Sequence, residues 1–366
     1  MSESQEDIDC IENGAPFAQE AAEFCDVFRR LGGRPGTAFV RCYVTFDLFH
    51  KVETLQERTD FTLRDYQRLL LDEMRLATTL VADRETYGGR LAGGRAGTED
   101  ARRTAEDLTQ EHYGTLFESF DDRYYYEHSS VLLRERYFEK NRLRIDDIQQ
   151  KIALDAGCGG GRFTLVLKAM GFSRVHGLDS SEPNIKTAIA KRDTRKIQGV
   201  IYERGDALNL PYPDASFDFV LSNGVLHHTS SILRGLQEVH RVLRTSGTAL
   251  LFLLEKPGGI FLDTIDLLRT VMRPVDPGYA RETMKVLGAA GHRIYSILDH
   301  TQVPINTRSS REEVKSLLAR AGFKNVTWLE NGLSYDRVEK LRRIGPNDRE
   351  AVWKYGVGEN RFYLIK

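Results

Sequence analysis

The residues best equipped for chemistry lie between Ala153 and Thr164, A-L-D-A-G-C-G-G-G-R-F-T. An apolar approach, Ile152-Ala153-Leu154, meets an acid, Asp155. Three glycines follow at alternate positions, Gly157, Gly159 and Gly161, with Cys158 between the first two. Glycine is needed where a backbone turns sharply and where a ligand must reach the main chain without a Cβ in the way. A strand, a tight turn and a helix start in this order predict a nucleotide-type site at the end of the first strand. The dinucleotide order G-x-G-x-x-G would put its third glycine at position 162, which is Arg162. The observed order is D-x-G-x-G-x-G. An acid two residues before the first glycine sits poorly beside a pyrophosphate and suits a cationic ligand.

Three further polar groups fall at predicted strand ends. Asp179 closes a second strand, 24 residues after Asp155, where an acid accepts both hydroxyls of a ribose. Asp206 and Ala207 follow a third strand, in E-R-G-D-A-L. Asn223 closes a fourth, in L-S-N-G-V-L-H-H-T, at the carboxyl edge where ligands bind in such sheets. A ribose acceptor plus an acid suited to positive charge favours S-adenosylmethionine (SAM), whose methionine end carries an ammonium and whose sulfur is cationic. The adjacent pair His227 and His228 supplies a candidate general base, because an unperturbed imidazole titrates near neutrality. The bland alternative is that one of them supports the loop. Two adjacent histidines are too few for a metal site, and none is expected.

The glycine turn resembles motif I of the class I SAM-dependent methyltransferases. The run P-Y-P-D-A-S-F-D from Pro211 to Asp218 and the V-L-H-H segment resemble the UbiE-like, type 11 small-molecule methyltransferases. The resemblance covers about residues 110–330 and the final strand. It implies a SAM site made by Asp155, Gly157, Cys158, Gly159, Gly161, Asp179, Ser180, Asp206, Ala207 and Asn223. Asp206 would bond the adenine amino group, the backbone at Ala207 would read the ring, and Asn223 would lie near the methionine portion. It also implies a lid over the site, for which the tyrosine cluster Tyr124, Tyr125 and Tyr126, with Tyr113, is the candidate; packed amphipathic tyrosines are the competing reading. Asp218 reads as a structural residue at a strand start.

The elements that must position these residues alternate strand and helix from Lys151 onward. The expected fold is α/β: a doubly wound, mostly parallel, seven-stranded Rossmann-like sheet with helices on both faces. Strands are expected at Ile152–Asp155, Arg174–Asp179, Val200–Gly205, Phe217–Ser222, Thr248–Leu254, Phe323–Leu329 and Arg361–Ile365. A helical insert, 256–309, follows the fifth strand. Upstream, residues 1–87 read as an N-terminal helical accessory module, 88–100 as a glycine-rich linker, 101–150 as a helical lid segment and 151–366 as the SAM-dependent methyltransferase domain. The stripe Leu63, Tyr66, Leu69, Leu70, Met74, Ala77 predicts a helix. Ala38 to Phe49 fits strand or helix equally.

Composition sets outer bounds. The 366 residues carry 52 basic and 53 acidic side chains, so no basic excess marks a nucleic-acid binder. No apolar run reaches the ~18 residues of a membrane span. The acidic, polar start is unlike a secretory leader, and the four scattered cysteines suit a reducing cytoplasm. The expectation is a cytoplasmic enzyme moving the SAM methyl group to O or N of a small organic metabolite. A homodimer through the N-terminal module is allowed. The alternatives are a SAM-binding regulatory or scaffold subunit, and an enzyme of this fold with other chemistry.

Overall fold

The computed structural model describes residues 18–31, 37–58, 60–87, 104, 105, 108, 109, 112, 123–345 and 348–366. The expected glycine-rich linker, the first 17 residues, Tyr113 and the side chain of Tyr124 lie outside the described residues.

Three helices come first: α1 (Ala18–Leu31), α2 (Thr37–Glu57) and α3 (Leu63–Tyr87). Two π-helical stretches, Arg123–His128 and Val131–Glu139, precede the sheet. Then come β1 (Ile152–Ala156), α4 (Arg162–Met170), β2 (Arg174–Asp179), α5 (Glu182–Thr194), β3 (Val200–Arg204) and β4 (Phe217–Asn223). The helix α6 (Ile232–Val242) leads into β5 (Leu243–Leu253). The insert supplies α7 (Gly259–Met272), α8 (Pro277–Val286) and α9 (Gly291–Thr301). The chain closes with α10 (Arg311–Ala321), β6 (Asn325–Trp328), α11 (Arg337–Ile344), α12 (Arg349–Tyr355) and β7 (Asn360–Ile365). Among these described helices none is long and apolar enough to cross a membrane.

The chain forms two compact units. The first takes residues 1–103, 258–302 and 348–355, and is helical in its described parts. Ala38–Phe49, ambiguous in sequence, is helical and buries Val40, Val44, Leu48 and Phe49. The buried Arg41 guanidinium donates to the carbonyls of Phe28 (2.6 Å) and Val271 (2.7 Å). The Tyr66 hydroxyl meets Thr264 Oγ1 at 2.7 Å, Phe49 packs edge-on to Phe261, and Gln56 donates to the Lys354 carbonyl at 3.0 Å. Helices from three distant stretches of chain therefore share one core.

The second unit, 104–257, 303–347 and 356–366, holds a seven-stranded sheet in the order β3-β2-β1-β4-β5-β7-β6. Pairings β1–β2, β1–β4, β2–β3 and β4–β5 are parallel; β5–β7 and β6–β7 are antiparallel. The sheet is thus mixed, which corrects the expectation of a mostly parallel one. A parallel neighbour needs a crossover back to the opposite edge of the sheet. Here the return from β6 stays at the carboxyl edge: Leu329 N donates to Arg361 O at 2.8 Å and Val338 N to Glu359 Oε2 at 3.0 Å. β7 must therefore run back against its neighbours. Leu154, Val220, Ala249 and Leu251 of the sheet pack with Leu236 and Val239 of α6 and with Val314 and Leu318 of α10. Asp218 joins strands, accepting from Ile152 N at 2.8 Å and from Arg244 Nη1 at 2.6 Å.

Candidate functional site

The glycine turn connects β1 to α4. Gly157, Gly159 and Gly161 have φ of +88°, +53° and +86°, the left-handed region that favours glycine. Space makes the same demand: a Cβ on Gly157 would lie 2.4 Å from the Val225 methyls, and one on Gly161 2.4 Å from the Tyr202 hydroxyl. The turn is tied to β2, because Gly157 N and Cys158 N both donate to Leu178 O, at 2.8 and 2.9 Å. From β3, Tyr202 donates its hydroxyl to Gly161 O at 3.1 Å.

Two acids flank this turn. Asp155 is buried on β1 and accepts from the Thr164 hydroxyl at 2.7 Å. Burial pushes its carboxyl up to about 7, against that hydrogen bond, and the charge of Asp179 adds to the rise. Asp179, half-buried at the end of β2, accepts at Oδ2 from Gly159 N (2.9 Å) and at Oδ1 from Ser181 N (2.9 Å) and Asn184 Nδ2 (3.2 Å). Burial raises it as well, and these donors hold it back. Ser180 is half-buried, and its carbonyl accepts from Arg204 Nε at 3.0 Å. Asp206 is exposed after β3, with Oδ1 capping Leu208 N at 2.8 Å, and Ala207 packs against the sheet core.

On the other side of β1, Asn223 ends β4. It pairs across to Phe252 of β5, and Phe252 to Arg361 of β7, giving one row at the carboxyl edge. Tyr137, from the second π-helical stretch, donates its hydroxyl to Asn223 Oδ1 at 2.6 Å, and the Arg361 guanidinium lies 5.8 Å from its ring. Arg361 is held by Asp336 (3.0 Å) and Glu359 (3.3 Å), and Asp336 also takes Arg136 at 2.6 Å.

His227 and His228 form a short 3-10 turn beyond β4, both buried, with ring centroids 4.0 Å apart. His227 packs edge-on to Phe252, and its carbonyl accepts from Thr307 N at 2.9 Å. His228 Nδ1 lies 2.8 Å from the Ile305 carbonyl. A carbonyl only accepts, so Nδ1 is the donor in this contact.

The tyrosines separate. Tyr125 is fully buried with Lys191 Nζ 5.1 Å from its ring; burial raises its hydroxyl, which lies within the fields of Cys158, Arg162 and Asp155. Tyr126 is half-buried. The structure brings Asp155, the glycines and Asp179 into one bonded set, and Val225 joins the end of β4 to it. The carboxyl of Asp206 bonds Leu208 N within its own loop, and the histidines meet residues 305–307. Sequence reading missed Tyr137, Tyr202 and Thr164 as site residues, although Thr164 closes the glycine-rich stretch and Tyr202 sits at an inward position on its strand.

A methyltransferase domain family matches residues 154–251, from β1 through β5. A protein of Encephalitozoon cuniculi described as a methyltransferase is 37% identical over 142 residues, 37% of this chain; the chain spans 62% of its length. The demethylmenaquinone methyltransferase of Geobacillus stearothermophilus is 29% identical over 59% of this chain and 90% of its own length. That of Staphylococcus aureus strain JH9 is 31% identical over 48% of this chain and 68% of its own. The ordered strand-end acids, the glycine turn and these similarities place the chain in the class I SAM-dependent methyltransferase family.

Proposed function

We propose that the protein methylates an O or N atom of a small organic acceptor. The observation that carries the reading is the bonded set at the glycine turn. Asp155 and Asp179 take their hydrogen bonds from neutral donors, so two buried or half-buried carboxylates converge where a cationic ligand is to be held. That donor set fits SAM. When bound, SAM supplies a methyl group activated by the sulfonium. Asp179 and Ser180 would hold the ribose, Asp206 and Ala207 the adenine, and Asp155, Cys158 and Asn223 the methionine end beside Gly157, Gly159 and Gly161. Tyr125, with Tyr126, would cover the site. The residues' remaining task is to align the acceptor and exclude water. His228 is the favoured base of the pair, because the contact of its Nδ1 with the Ile305 carbonyl fixes the ring and makes Nε2 the nitrogen that would take a proton from an alcohol, phenol or ammonium acceptor. His227, edge-on to Phe252, supports the loop.

The relatives named demethylmenaquinone methyltransferases put demethylmenaquinone, a carbon acceptor, in the panel as the rival to an O or N acceptor. The test is calorimetry with SAM, S-adenosylhomocysteine and NAD, then mass spectrometry of acceptor panels for products heavier by one CH2. Binding of NAD in preference to S-adenosylhomocysteine would overturn the reading.

A further inference from the structure

Residues 205–216, between β3 and β4, form no strand or helix, yet they carry Asp206 and Ala207. Their order comes from α6. Arg241 uses all five of its N–H donors, three on this loop and two on Glu238 of α6. Nη1 donates to Tyr212 O (2.7 Å) and Asp214 Oδ1 (2.9 Å), and Nη2 to Leu210 O (2.9 Å) and Glu238 Oε2 (2.7 Å). Nε donates to Glu238 Oε1 at 3.2 Å. Glu238 Oε2 in turn accepts from Leu210 N at 2.9 Å. The N–H and C=O of Leu210 are thus gripped together by one ion pair. Arg234, one turn earlier on α6, donates to Leu208 O at 3.0 Å and pairs with Glu238 at 3.1 Å. Glu238 is buried, while Arg241 is partly exposed.

We propose that the Glu238–Arg241 pair is the positioning device for adenine recognition, setting the backbone on which Asp206 and Ala207 meet the ring. This rests on the reading of those two residues as the adenine site. Neither member of the pair need touch the ligand. A fixed carboxylate accepts from an exocyclic amino group and rejects an exocyclic carbonyl oxygen at the same place; a carboxylate on a loose loop adapts to both.

The experiment measures affinity for S-adenosylhomocysteine and for S-inosylhomocysteine, its deaminated analogue, by calorimetry. Wild type should prefer the amino compound by at least about tenfold, and Asp206→Ala should remove that preference. Arg241→Ala should also bring the ratio close to unity, mainly by weakening S-adenosylhomocysteine. Glu238→Gln keeps the size of the side chain and covers the case in which Arg241→Ala does not fold; its ratio should fall as well. A wild-type ratio in folded Arg241→Ala or Glu238→Gln, or an equal loss for both ligands, overturns the proposal. An unchanged ratio in Asp206→Ala overturns instead the adenine reading beneath it.

Discussion

The amide of Gly159 donates to Asp179 Oδ2 at 2.9 Å, so the end of β2 holds the middle of the turn that follows β1. One carboxylate therefore shapes the glycine turn and also stands where a ribose is expected. With Oδ1 already taken by Ser181 N and Asn184, its geometry is set before any ligand arrives.

Replacing Asp179 by alanine removes both functions. S-adenosylhomocysteine affinity should fall by on the order of 1–3 kcal/mol, the worth of charge-assisted hydrogen bonds. Asp179→Asn, which keeps an acceptor for Gly159 N but loses the charge, should fall less. Calorimetry separates the three proteins, and unchanged affinity in Asp179→Ala would remove its ribose role.

The raised carboxyl of Asp155 gives a pH dependence. Its folded value, about 7, stands above the ordinary carboxylate range, so between about 4 and 7 the folded state holds a proton that the unfolded chain has lost. Its contribution to stability therefore declines as pH rises through that window and is flat above it. Asp179 and Glu255 are raised too, while Glu359 and Glu238 are lowered, so the whole-protein curve mixes signs. Asp155→Asn isolates the effect. In denaturant titrations without ligand, its stability relative to wild type should increase from pH 5 to pH 7 by on the order of a few kcal/mol. A cationic ligand favours the ionised acid, so SAM binding at pH 6 should release protons in wild type and fewer in Asp155→Asn. Calorimetry in buffers of different ionisation enthalpy measures that number.

With an acceptor in hand, His228→Ala should lower turnover by about 10²- to 10⁴-fold, the usual worth of a general base. S-adenosylhomocysteine affinity should stay at the wild-type value. His227→Ala should instead lower the melting temperature, since it empties a buried place against Phe252. Wild-type turnover in His228→Ala would rule it out as the base.

The salt-bridge cluster beside Tyr137 sets a stability expectation. Asp336 is buried and pairs with both Arg136 and Arg361. Asp336→Ala leaves the buried Arg361 with Glu359 alone and should cost about 3–5 kcal/mol in denaturant titration, as when one partner of a buried ion pair is removed. Through Arg361 the loss reaches the ring of Tyr137, which lies against it.

The glycine turn and Asp179 were legible because a turn between adjacent elements is written in consecutive residues, and its neighbours fall at fixed spacings. The seven strands were legible for the same reason. Tyr137 was not, since its partner Asn223 lies 86 residues away and nothing local marks the pairing. The Ile305 carbonyl that meets His228 Nδ1 is 77 residues distant, and any residue type would supply it. The direction of β7 was hidden too, because it depends on which edge the chain returns from. Helix α2 buries residues on more than one side, among them Val40, Arg41, Val44, Thr45 and Phe49, so no single apolar stripe showed its period.

The three-part assembly of the helical unit bears on how the protein is made. Residues 1–103 share a core with 258–302 and 348–355, so although α1 to α3 can pack on one another, roughly 150 further residues must be translated before their later partners emerge, roughly 8–30 s at ~5–20 residues per second. Throughout that interval Phe24, Phe28 and Leu48 lack the α7 to α9 part of their core. Ribosome-stalled chains ending before residue 258 should be cut by protease within α1 to α3, and chains extended beyond residue 355 should resist.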